Sequence, residues 1–229
     1  MKSIKLKLNN FITTINQTNQ LSPVMELQAL LSETYQIDSQ SQARMVISAK
    51  ERKTIDLTTG ENEITLSNSF VKLDKPEKCV IVKNENDKTR YTISRLDPKN
   101  KKIYIEVPEV QSKVNLTIWY LPIDGTFQMV YEPTGGQSTV RKVFYQGSLS
   151  EVNQKDQFKE KGIMLPNRII FPDWKLKVYI ETQAQIDLSS PLAYLEIPVI
   201  YYQVEEFTKM LLEQGYTQEQ VKAMQLLKD

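Results

Sequence analysis

Between Arg44 and Leu121 apolar and polar side chains alternate with a period of two. The segments RMVIS, KTIDLT, NEITLS, SFVKLD, KCVIVKN, RYTISRL, KKIYIEV and KVNLTIWYL follow one another. Alternation of this kind turns one apolar face toward a core and predicts strands. The breaks carry turn chemistry at Thr59-Gly60, Asp74 to Pro76, Asn84 to Asp87 and Asp97-Pro98. Short strands so spaced predict a sandwich or barrel. After the turn PIDGT (Pro122–Thr126), strands are again expected in FQMVYEP, TVRKVFYQG, RIIF, KLKVYIET and LAYLEIPVIYYQV. Gly135-Gly136 reads as a hairpin tip, and the polar stretch 148–162 as a helix or long loop.

The two ends read differently. Ile4, Leu8, Phe11, Ile12 and Ile15 share one helical face, although Ile4, Leu6 and Leu8 also alternate as a short strand would. In LSPVMELQALLSETY, Ser22 can cap, Pro23 suits a first helical turn, and Leu27, Leu30, Leu31 and Tyr35 form a stripe. The C-terminus reads as two short helices broken at Gly215, the second opened by a capping box of Thr217 and Gln220. The expected fold class is mainly β, with two tandem antiparallel β-sandwich or jelly-roll modules and helical extensions at both termini. The expected divisions are a helical N-terminal arm (1–43), a first module (44–122), a second module (123–204) and C-terminal helices (205–229).

One strand recurs. KNKKIYIEV (Lys99–Val107) returns as WKLKVYIET (Trp174–Thr182), each followed by a long apolar-aromatic run. CVIVKN and VRKVFYQG form a possible earlier pair. Strand grammar is narrow, so chance likeness stands beside duplication. Duplication would explain the repeat as one buried strand needed once per module, with the boundary near Pro122 to Gly125.

Composition removes most chemistry. The net charge is +1, so no whole-molecule field favours nucleic acid, and no specific nucleic-acid partner is expected. Histidine is absent, which removes the commonest general base and neutral metal ligand. The single cysteine, Cys79, lies in an apolar run and is expected to be buried and inert. No apolar run is long enough for a membrane-spanning helix, and the N-terminus lacks the features of a signal peptide, so the chain is expected to be made and first kept inside a cell.

Glu106 and Glu181 hold equivalent places in the repeat and could pair as glycosidase carboxylates, but each ends a strand beside a polar turn, where a solvated charge is ordinary. Lys99 to Lys102 read as a turn whose lysines guard a sheet edge. Trp119, Tyr120, Trp174, Tyr201 and Tyr202 could stack on sugars or pack in a core; their apolar neighbours favour packing. No catalytic residue, metal ligand or cofactor site is assigned, and the chain reads as no enzyme.

Two β-sandwich modules with helical arms resemble the double-jelly-roll coat proteins of icosahedral viruses. KKIYIEV, LKVYIET and the strand count over residues 44–204 carry the resemblance. It implies a structural protein of a virion shell, a major or minor capsid subunit made in the host cytoplasm. It also implies assembly with itself, as pseudo-hexagonal trimers, and with other structural proteins. The alternative is a β-sandwich adhesin or carbohydrate-binding module of a fibre. The arm, with Lys2, Lys5 and Lys7 beside its apolar stripe, would contact protein, or weakly a membrane.

Overall fold

The computed structural model describes residues 2–13, 22–30, 32–133, 142–155, 162–172 and 174–223. Strands β1 (Lys2–Lys7), β2 (Ile12–Thr13), β3 (Ser22–Gln28), β4 (Glu33–Ile37) and β5 (Gln42–Val46) open the chain. Next come β6 (Ala49–Leu57), β7 (Gly60–Thr65), β8 (Val80–Asn84), β9 (Arg90–Asp97), β10 (Lys102–Val107) and β11 (Gln111–Tyr120). The chain continues through β12 (Thr126–Pro133), β13 (Lys142–Ser148), α1 (Leu149–Asn153), β14 (Ile163–Met164), β15 (Ile169–Ile170) and β16 (Trp174–Glu181). It closes with β17 (Tyr194–Gln203), α2 (Val204–Glu213) and α3 (Gln218–Ala223).

Two of the three sheets form an outer body. In one, β17 lies between β1 and the collinear pair β4 and β5, with β15 and β14 beyond them. In the other, the order is β13-β12-β16-β3-β2. With β4–β5 and β14–β15 each counted as one broken strand and the two-residue β2 set aside, this is the eight-stranded, doubly Greek-key order of a jelly roll. Leu195, Ile197 and Val199 of β17 face Met25, Met129 and Val178 of the opposite sheet across a common buried core. Pro198 lies opposite the break between β4 and β5, where Asp38 donates its N–H to the Pro198 carbonyl. Proline, which cannot donate to a ladder, is tolerated at such an interruption.

The third sheet, β6-β11-β8-β9-β10-β7, uses only residues 49–120. It repeats the outer body's order in reduced form. In each body the last strand lies between the first and third: β17 between β1 and β4–β5, β11 between β6 and β8. In each the penultimate strand lies between the second and fourth: β16 between β3 and β12, β10 between β7 and β9. The repeated segments KKIYIEV and LKVYIET are these two penultimate strands. Ile103 and Ile105, like Val178 and Ile180, are buried, while Glu106 and Glu181 face solvent.

The structure departs from the expected layout in three ways. The arm is not an α-helix: apart from one 3-10 turn at Leu8–Asn10, its regular elements are β1 to β4 and the start of β5, and β1 pairs with β17 along its whole length. Ile4 and Leu6 turn into the core while Lys5 and Lys7 face out, so the period-two reading wins over the helical one. Ile15, Leu31 and Gly135-Gly136 lie outside the described residues. Pro23 occupies a strand, at the register shift opposite Val178 and Tyr179, rather than a helix start. Second, the two bodies are nested rather than tandem, because 123–203 complete their sheets only with strands from 2–46. Third, SFVKLD is no strand; Phe70 makes one isolated bridge to Pro122.

The C-terminal helices are present. Thr217 and Gln220 exchange the two capping-box bonds, Thr217 N–H to Gln220 Oε1 at 2.8 Å and Gln220 N–H to Thr217 Oγ1 at 3.2 Å. Phe207, Leu211 and Val221 cover Tyr202 on the outward face of β17, forming a second, smaller core.

Candidate functional site at the junction of the two bodies

The chain leaves the outer body at Ile47 and returns at Pro122, and one side chain holds both crossings. Asn153, at the end of α1, is fully buried. Its Nδ2 donates to the carbonyls of Ile47 (2.9 Å) and Pro122 (2.7 Å), and its Oδ1 accepts from the Ile47 N–H (2.9 Å). An amide alone among uncharged side chains supplies two donors and an acceptor in this geometry. The sequence places α1 there by local means. Ser148 caps it, accepting from the Glu151 N–H at 3.2 Å, and Leu149 and Val152 are buried beside Asn153. The Leu149 N–H donates to the Gly125 carbonyl at 2.9 Å. Gly125 has φ +139°, and a Cβ there would lie 2.5 Å from the Glu181 carbonyl oxygen, so the PIDGT turn requires glycine.

A second tie crosses the junction through Asp187, in the loop between β16 and β17. Its carboxylate is 1% exposed. Oδ2 accepts from the Trp119 indole N–H and from Lys50 Nζ, both at 3.1 Å. Oδ1 accepts from the Ser189 N–H at 3.0 Å and from its hydroxyl. The Asp187 N–H donates to the Ser48 carbonyl at 2.9 Å, and the Ser48 hydroxyl donates to the Asp187 carbonyl. A bridge from Ala49 to Ile186 and a bond from the Lys50 N–H to the Gln185 carbonyl (2.8 Å) lay this loop along the start of β6. Burial pushes the Asp187 carboxyl up. The hydrogen bonds from Ser189, Trp119 and Lys50 outweigh it and hold the group below the usual carboxylate range.

The junction thus joins the two bodies through satisfied polar groups set in one continuous apolar core. All of the contacts to the Asp187 carboxylate are donors, which suits a fixed charge and leaves it poorly placed to take or give a proton.

The residues weighed from sequence fall as follows. Glu106 and Glu181 lie in different sheets, opposite Thr92 and Thr126 respectively, and do not come together as a pair. Cys79 is buried, its thiol directed at the Pro76 carbonyl, and burial pushes it up to about 11. Tyr120 and Tyr202 are buried, while Trp119, Trp174 and Tyr201 are half-buried. Trp174 packs against Tyr131 at 5.0 Å between ring centroids. Lys99 to Lys102 do not guard a sheet edge, because they lead into β10, which is paired on both sides by β7 and β9. Lys5, on β1, pairs at 2.9 Å with Glu196, which burial pushes up but Lys5 and Tyr194 draw below its ordinary value. Among the described residues, no three Asp, Glu or Cys side chains gather as a metal would need.

Sequence reading missed Asn153 and Asp187. The signal for Asp187 was present: a charged residue between Ile186 and Leu188, two residues before a serine whose N–H it can accept. Asn153 lies in a polar stretch where nothing marks it.

No protein-family model matches the chain, and no curated protein sequence does. Solved structures do. VP17, a capsid protein of bacteriophage P23-77, superposes with a TM-score of 0.66 at 13% identity, over 88% of this chain and 95% of that one. A chain of the VP16–VP17 complex, a complex of the two major capsid proteins of the same phage, superposes with a TM-score of 0.65 at 14% identity, over 88% and 98%. The resemblance to viral coat proteins that the repeated strand suggested is therefore shown at the level of fold.

Proposed function

We propose that the chain is a structural subunit of a virion shell. The outer jelly roll is its shell-forming body, and the nested body is carried on it as a rigid second domain. The observation that carries this reading is fold similarity to phage capsid proteins over nearly their whole length. The junction supports it, since its buried polar groups fix the two bodies relative to each other and offer no reactive centre. The role is structural rather than enzymatic, and the location is the virion. Its partners are further copies, with a trimer as the building unit, and other coat proteins. The membrane contact expected of a helical arm loses its basis, because that arm is a strand of the core.

Electron microscopy of the purified full chain at raised concentration tests the reading. Ordered sheets, rings or closed particles are expected. A chain that stays dispersed and instead binds immobilised glycans would replace it with the carbohydrate-binding module.

A further inference from the structure

A groove of about 310 Å³ opens on one side of the junction, lined from both bodies. Its place follows from how two strands part. β8 and β9 pair only at Val82–Tyr91 and Lys83–Arg90. Toward the junction that ladder ends, and a 3-10 turn at Pro76–Lys78 touches both strands. Ile81 lies just past the last pair and lines the groove. Val80 and Val82 belong to the common core, whereas Ile81, on the opposite face of β8, does not. Alternation would set a polar side chain there. Ile81 is instead apolar and buried outside the core. Leu73, Leu121 and Leu192 extend this apolar floor, the last from the loop that also carries Asp187. The charged lining is mainly basic: Arg90, Lys155 and Lys78 against Glu77 alone, all exposed. Arg90 and Glu77 also border a second hollow of about 380 Å³, beside Thr92.

We propose that the groove binds an amphipathic anion, a single-chain fatty carboxylate. Its hydrocarbon chain lies on Ile81, Leu121 and Leu192, and its carboxylate meets Arg90 and Lys155. Mostly apolar hollows of about 300–1,000 Å³ between domains, with a few convergent polar groups, are the usual form of a small-molecule site. The groove sits near the lower end of that range, which suits one short chain rather than the two chains of a membrane lipid. The excess of cations selects an anionic head, and a guanidinium can hold a carboxylate through two parallel hydrogen bonds. A ligand that touches both bodies binds only the folded junction, so it stabilises the fold by mass action. The site belongs to the single chain and does not depend on the coat-subunit reading.

Calorimetric titration of the folded full chain with octanoate, below its micelle concentration, tests this. One equivalent is expected, bound about tenfold or more tighter than octanol or octyltrimethylammonium, which keep the chain but remove or reverse the charge; that is the scale of one charge-assisted hydrogen bond. Arg90→Gln and Lys155→Gln, both at exposed positions, should each weaken octanoate by about tenfold. Leu192→Asp, which sets a charge on the floor, should weaken it at least as much. Octanoate should raise the melting temperature of the wild type and leave that of the Arg90→Gln/Lys155→Gln chain unmoved. Native near-ultraviolet spectra check that each variant is folded. Absence of saturable binding, or octanol bound as tightly, overturns the proposal. Octanoate binding unchanged in all three variants places it elsewhere on the chain and also overturns it. A chain that sediments with phosphatidylglycerol vesicles but ignores octanoate gives the groove to a membrane lipid and overturns the fatty-carboxylate assignment. None of these results bears on whether copies form ordered particles, so the two readings fail separately.

Discussion

The indole N–H of Trp119 in the nested body donates to the carboxylate of Asp187 in the outer body at 3.1 Å, with Lys50 Nζ at the same distance from the same oxygen. Asp187→Ala leaves both donors facing a hole. Removing one partner of a buried ion pair costs about 3–5 kcal/mol. Urea unfolding should show a loss of that order, and in a Trp174→Phe background the remaining Trp119 emission should shift in the native state. An unchanged unfolding midpoint would contradict the assigned role.

The same carboxylate makes the fold acid-sensitive. Asp187 titrates lower in the folded chain than in the unfolded one, so as pH falls the unfolded chain takes up the proton first. The stability it contributes is fully present above the unfolded value, about 3.9, and is lost as pH drops through the folded value. Glu196, also held low, adds to this slope. Asp187→Asn should flatten the fall in stability below about pH 4; an unaltered slope would mean that other carboxylates carry it.

Asn153 gives a sharper chemical test. Asn153→Ala strands the Ile47 N–H and two buried carbonyls, at about 1–3 kcal/mol for each group left without a partner. Asn153→Asp keeps the shape and can still accept from Ile47, but sets a charge against the Ile47 and Pro122 carbonyls. It should destabilise at least as much as alanine. Thermal unfolding of both variants decides this, and an aspartate variant as stable as the wild type would rule out the two donated bonds.

How far the sequence could be read follows from these residues. Strands β6, β7, β8, β9, β10 and β11 were legible because their sequences alternate or run apolar between turn signals, although β8 buries both faces through Val80, Ile81 and Val82. The repeat was legible because Ile103/Ile105 and Val178/Ile180 meet the same demand at the same place in two sheets. The N-terminal strands were misread because Pro23 looks the same at a strand bulge as at a helix start, and because Ile4 and Leu8 fit both periods. Nesting was illegible: that β1 pairs with β17 is fixed by packing across the whole chain, not by any local signal. The junction side chains share that fate, since Asn153 acquires its role only when Ile47 and Pro122 are brought together.

Nesting has a direct consequence for truncation. Replacing residues 49–120 with a short glycine-serine linker should leave the outer body able to unfold cooperatively, because Asn153 already holds the two cut ends close. Deleting residues 2–13 should not, because it strips β1 from β17 and removes Leu6 and Phe11 from the core. Circular dichroism melts of the two deletions should differ in this sense; the reverse result would favour tandem modules.

Cys79 should resist modification. Burial holds its thiol up at about 11, so at pH 8 little thiolate exists and access is closed. A chromogenic disulfide reagent should report one thiol in denaturant and almost none in the native chain over the same minutes. Rapid native labelling would contradict the packing described around β8.

The coat-subunit proposal requires copies of this chain to assemble. Multi-angle light scattering of the purified full chain at micromolar concentration tests it most directly. The expected result is a mass that is a multiple of 26.6 kDa and rises with concentration. A constant mass of 26.6 kDa across that range, in a chain shown to be folded, would contradict it.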